Sequence, residues 1–279
     1  MYKFDAKLRQ LVLTIALAIE EDLASILAHI VSDTYCNPAK PETFRSKDDG
    51  LPLSYFNKRT LNIRKEKRWE RTKLLNDVTT LITNPSAVPI KYYGDHQLDL
   101  PPWVLVKGLS FGNFISWYNL SKGHVKQRIV GTFLRVAPQR VTDDQKSNMY
   151  YALKLIQLFR NVAAHGGRIY NFEAAHVEFP YMEKYHLRLF GITKEQHAQG
   201  RGASDFLAFI LAIFLNVPEQ ADDGYEESYS NDCVYEFMTD LKHAFGHYVM
   251  NNIEWVPLVL KEMHFKIEYL NKLERIELA

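Results

Sequence analysis

Apolar residues recur at steps of three and four near the start of the chain: Phe4, Leu8, Leu11, Val12, Ile15, Ile19, Leu23, Ile26, Leu27 and Ile30. That spacing puts them on one face of a helix, with Lys7, Glu21, Asp22 and Ser25 on the other. A long amphipathic helix is therefore predicted over residues 3–33, ending before Asn37-Pro38 and Lys40-Pro41. Residues 34–58 read as extended loop. A helix follows the basic run at 57–73 and closes at Asn84-Pro85, with residues 84–100 as a second loop.

Pro101-Pro102 is expected to open one helix carrying Trp103, Val106, Leu109, Phe114 and Trp117, with Gly108 and Gly112 on a shared face. The aromatic residues Trp103, Phe111, Phe114 and Trp117 read as core. Further helices are predicted at about 124–134 and from Thr142-Asp143-Asp144 to about Ala164. There Met149, Leu153, Ile156 and Phe159 form the apolar face and Gly166-Gly167 the stop. Residues 172–200 read as irregular or as short strands. Helices at about 203–215, 233–249 and near the C-terminus complete an all-α chain. The expected organisation is a catalytic domain over 1–195 and a helical extension over 196–279, with the polar stretch 191–202 between them.

Composition narrows the class. Hydrophobic residues make up 47% and charged residues 24% of the chain, which suits a folded protein. Cys36 and Cys233 fall in no motif, so neither a disulfide framework nor a zinc ribbon is expected. No apolar run approaches the ~20 residues a membrane helix needs, and residues 1–5 show no leader pattern. These readings point to a soluble cytoplasmic protein without a membrane partner. Lys+Arg and Asp+Glu balance at 34 and 33, but the charges are segregated. Residues 57–73 hold eight basic residues against Glu66 and Glu70, while 219–236 hold seven acidic residues and no Lys or Arg. Arg64, Lys65, Lys67 and Arg68 are candidates for tracking an RNA backbone, with a solvated helix face as the alternative.

The chemistry concentrates at FRNVAAHGGRIYN, residues 159–171. Asn161 and His165 lie four apart on one helical face, with Arg160 ~100° from Asn161; unwinding at the glycines would swing His165 towards Arg160. A helix C-terminus favours imidazolium. Arginine beside such a histidine suits cleavage of an RNA phosphodiester, since guanidinium grips phosphate oxygens while imidazole moves the proton. An ordinary helix end, with Arg160 solvated and His165 capping carbonyls, is the plainer alternative. His243, His247 and Asp240 offer too few ligands for metal, and no cofactor is expected.

Arg160-Asn161-x-x-Ala164-His165-x-x-Arg168-Ile169-Tyr170-Asn171 resembles the signature of the Abi-like (abortive infection) family of the HEPN superfamily. So do Tyr2-x-Phe4-Asp5-x-x-Leu8-Arg9 with Ile19-Glu20, and Pro102-Trp103-Val104 leading to Leu109-Ser110-Phe111-Gly112. The resemblance covers residues 2–190. It implies a HEPN-type helical bundle and a metal-independent, toxin-like endoribonuclease in phage defence. It also implies a homodimer with a composite site, checked by an RNA or protein antitoxin. Arg160, Asn161 and His165 map onto the active-site motif, and Arg168 and Asn171 onto its supporting flank. Members commonly carry helical sequence ahead of the Tyr2 segment, and basic residues where Ala6, Ala18 and Ala24 stand here. A non-catalytic RNA- or nucleotide-binding module and a helical interaction scaffold are the competing functions.

Overall fold

In the computed structural model, which describes residues 1–37, 39–44, 53–57, 59–215, 229–250, 254–266, 268, 269 and 272, the apolar periodicities become helices. In chain order these are α1 (Tyr2–Tyr35), α2 (Arg68–Thr83), α3 (Val88–Asp95), α4 (Pro102–Leu105), α5 (Phe111–Leu120) and α6 (Gly123–Phe133). They continue with α7 (Asp143–Ala164), α8 (Lys194–Ala198), α9 (Phe206–Phe214), α10 (Tyr229–Met250) and α11 (Val256–Glu262). The fold is all-α, with no β-strand among the described residues. No helix among those residues is long and apolar enough to cross a membrane.

Each long helix follows from its sequence. In α1 the stripe from Phe4 to Ile30 is buried except at Ile26, and no proline or glycine interrupts its 34 residues. In α7 Met149, Ala152, Leu153, Leu155, Ile156, Phe159 and Ala163 are buried. All nine residues of α9 are buried. Its start is fixed by Asp205, whose carboxylate accepts the Ala208 and Gly202 N–H groups, both at 2.9 Å. Such a cap is worth about 1 kcal/mol.

Three local expectations are corrected. Residues 84–100 are not all loop: α3 lies within them, because Pro89 sits in its first turn, where a missing N–H costs nothing. The helix opened by Pro101-Pro102 is two, separated by a 3-10 turn over Val106–Gly108 and by extended backbone at Leu109. Ser110 restarts the chain through a capping box: its Oγ accepts the Asn113 N–H at 3.3 Å, and Asn113 Oδ1 accepts the Ser110 N–H at 3.1 Å. Gly108 and Gly112 therefore belong to different elements. A Cβ at Gly108 would meet Ile90 Cδ1 at 2.6 Å and Leu81 Cδ1 at 2.7 Å, so the close approach expected of a glycine exists there. Residues 172–200 are irregular up to 182, as one of the two readings expected, and then form a π-helical turn at Lys184–Leu189 and α8 in place of strands. The expected loop over 34–58 and acidic stretch over 219–236 lie partly outside the described residues.

The chain divides into two compact units. One comprises Glu20–Thr132 and Val136–Thr142. Its core holds Trp117 against Phe56, with ring centroids 4.6 Å apart, and Tyr55, whose hydroxyl donates to the Leu100 carbonyl at 2.8 Å. Phe111, Phe114 and Trp117 are core residues, but Trp103 is 44% exposed and touches Phe44 edge-on. The other unit comprises Met1–Ile19, Phe133–Arg135 and Asp143–Ala279. There α7 packs along α9, with Phe159 4.8 Å from Phe209 and 4.9 Å from Phe172.

Candidate functional site

The end of α7 is built by hydrogen bonds around two glycines. The His165 N–H still reaches the Asn161 carbonyl at 3.1 Å, so His165 is the last residue of the helical ladder. Gly166 then turns left-handed, with φ +73°. Its N–H reaches Ala163 O at 3.2 Å and the Gly167 N–H reaches Val162 O at 2.9 Å. This pair of bonds is a Schellman closure, and only glycine takes the left-handed step without a Cβ penalty. Gly167 also needs its bare Cα, since a Cβ would meet Val162 Cγ1 at 2.6 Å.

This closure settles where the side chains of the motif go. The backbone does not unwind before His165, and no hydrogen bond links His165 to Arg160 among the described residues. The His165 imidazole is exposed. Arg160, half-buried beside the fully buried Phe159, donates from Nη1 to Asn161 Oδ1 at 3.4 Å. Asn161 thus meets Arg160 rather than the histidine whose helical face it shares.

Beyond the glycines two buried residues sit between two exposed ones. Arg168 and Asn171 face solvent, while Ile169 and Tyr170 are buried. What holds this segment is Asp5, buried in the first turn of α1. Its Oδ1 accepts the Ile169 N–H at 2.8 Å and the Tyr170 N–H at 3.3 Å. Its other oxygen pairs with Arg9 one turn on, and Arg9 Nη1 also approaches the Gly167 carbonyl at 3.5 Å. Asp5 and Arg9 therefore fix the backbone that leaves His165. Their signal in the sequence is an Asp–Arg pair at i, i+4, each residue directly following a buried apolar one, Phe4 and Leu8.

The basic candidates occupy a 3-10 turn, Lys65–Lys67, and the start of α2. Arg64, Lys65 and Arg68 are exposed; Lys67 is half-buried, 3.8 Å from Glu70. Glu70 in turn accepts from Asn119 Nδ2 at 2.8 Å. Asp240, next to His243 and His247 in the sequence, pairs with Lys7 at 2.9 Å. Among the described residues no group of three or more His, Cys, Asp or Glu side chains gathers as a metal site would need.

A separate histidine is fully buried. His186 Nε2 lies 2.9 Å from the Gly202 carbonyl, and its Nδ1 lies 3.0 Å from the Met182 N–H and 3.1 Å from the Met182 carbonyl. Burial holds its pKa below the usual value, an effect that outweighs these backbone contacts. With Tyr181 and His197 packed on it, His186 is a structural pin beneath α8 and the Gly202 turn.

The chain matches the family described as Abi-like protein over residues 1–171. No curated protein and no solved structure matches it.

Proposed function

The chain belongs to the Abi-like protein family, and on that footing we propose that it is a metal-independent endoribonuclease of HEPN type acting in abortive infection. The supporting observation is the end of α7. The Schellman closure leaves His165 exposed at the helix terminus, one turn beyond Arg160, while Asp5 and Arg9 anchor the following backbone.

In this reading Arg160 binds non-bridging oxygens of a phosphodiester and stabilises the charge that builds on phosphorus. Asn161 steadies the guanidinium. His165 takes the proton of the ribose 2′-hydroxyl as its oxygen attacks phosphorus. The bond to the 5′-oxygen breaks, and that oxygen receives a proton from a second acid. One chain carries one such histidine, so the second acid is the partner subunit's His165 in a two-fold dimer. Arg168 and Asn171, exposed on the anchored segment, support the RNA strand.

The test is cleavage of end-labelled RNA in EDTA. Products ending in 2′,3′-cyclic phosphate and 5′-hydroxyl are expected, with DNA resistant for want of the 2′-hydroxyl. His165→Ala should lose roughly 10²–10⁴-fold in rate and still bind RNA. Arg160→Ala should impair binding and rate together. Cleavage that persists in His165→Ala, or that yields 5′-phosphate ends, places the active site elsewhere. Binding without cleavage makes the protein an RNA-binding module.

A further inference from the structure

Trp69 is 75% exposed, an unusual place for the largest apolar side chain. It is the second residue of α2 and takes no part in burying that helix, whose inward face carries Leu74 and Val78. Glu70 and Arg71 beside it are engaged inward, with Asn119 and with the Asn62 carbonyl. Exposed cations neighbour it along the chain. Arg68 precedes it, and Arg64 and Lys65 lie in the turn just before. Lys73, one turn on, holds its ammonium 5.6 Å from the ring centroid. No ion pair among the described residues engages Arg64, Lys65 or Arg68.

We infer that this face takes single-stranded RNA, with Trp69 stacking on an unpaired base while Arg64, Lys65 and Arg68 hold the flanking phosphates. A solvent-exposed indole can receive a base only if that base is not already stacked inside a duplex. The surrounding cations supply affinity that does not depend on sequence. The same charges argue against a second copy of this chain as occupant, because a two-fold contact would set like charges face to face. The inference rests on the RNA reading above and adds the form of RNA recognised.

The experiment uses the full chain carrying His165→Ala, so that bound RNA survives. The probes are a labelled twelve-residue oligouridylate, a blunt RNA duplex of equal length, and vesicles of phosphatidylserine and phosphatidylcholine. The single strand should bind at least roughly tenfold more tightly than the duplex and quench tryptophan fluorescence. Trp69→Ala should weaken single-strand binding about 5- to 100-fold, with duplex binding and thermal stability unchanged, and Trp69→Phe should recover most of the loss. Replacing Arg64, Lys65 and Arg68 by Gln should flatten the salt dependence of binding. Equal single-strand affinity in Trp69→Ala, quenching by vesicles but not by oligouridylate, or a dimer that Trp69→Ala dissociates would each overturn the inference. Trp69-dependent selectivity without any cleavage by the His165-bearing chain would sink the ribonuclease reading alone. Cleavage through His165 with an indifferent Trp69 would sink this inference alone.

Discussion

Asp5 and Arg9 set the geometry of the candidate site without belonging to its chemistry. A buried carboxylate that accepts two backbone N–H groups and faces a guanidinium is costly to disturb, because the buried amides lose their acceptor and the guanidinium its counter-charge. Asp5→Asn keeps an acceptor but removes the charge opposite Arg9, which should destabilise the chain by roughly 1–3 kcal/mol in urea unfolding. The Ile169 and Tyr170 amides should also lose hydrogen-exchange protection beyond the global change. Unaltered protection at those two amides would show that the segment is held by its buried side chains instead. Asn161 is a weaker case: with only a 3.4 Å contact to Arg160, its replacement by Ala should reduce cleavage less than either neighbour in the motif.

Among the elements, the π-helical turn at Lys184–Leu189 carries a pH dependence through His186. The ring is neutral and buried when folded, with its pKa lowered by desolvation, whereas in the unfolded chain it titrates near 6.5. Below that pH the unfolded chain binds a proton that the folded one resists. The contribution of His186 is therefore fully present above pH 6.5 and is lost as pH falls towards the depressed folded value. Urea midpoints at pH 7.5 and pH 5.5 should show a larger drop for the wild type than for His186→Gln, which keeps a donor and an acceptor without a titrating proton. Equal drops would assign the acid sensitivity to other groups. The Ser110–Asn113 capping box and the first-turn Pro89 show at the same scale why two helix boundaries differ from the periodicity. Proline reads as a stop and an apolar run as continuous, yet each boundary is decided by which backbone N–H groups find partners.

For the whole molecule, the proposed composite site would make assembly a condition of activity. Mixing wild-type chains with an excess of His165→Ala should depress cleavage by more than dilution if chains exchange, because every mixed dimer lacks one of the two His165 side chains. Sedimentation should show a dimer at micromolar concentration; full activity in a stable monomer would refute the shared site. The one-dimensional pattern by itself determined the all-α class, because a 3.6-residue periodicity is a local property that each helix expresses independently. It also determined the helix end at Gly166-Gly167, because the left-handed step depends on one residue type. Only tertiary packing decided that Asp5, 164 residues from Ile169, holds the backbone beyond the glycines, and that Trp103 is part-exposed while Trp117 is buried. Burial and long-range hydrogen bonding depend on which surfaces meet, and residues of identical type carry no local mark of that.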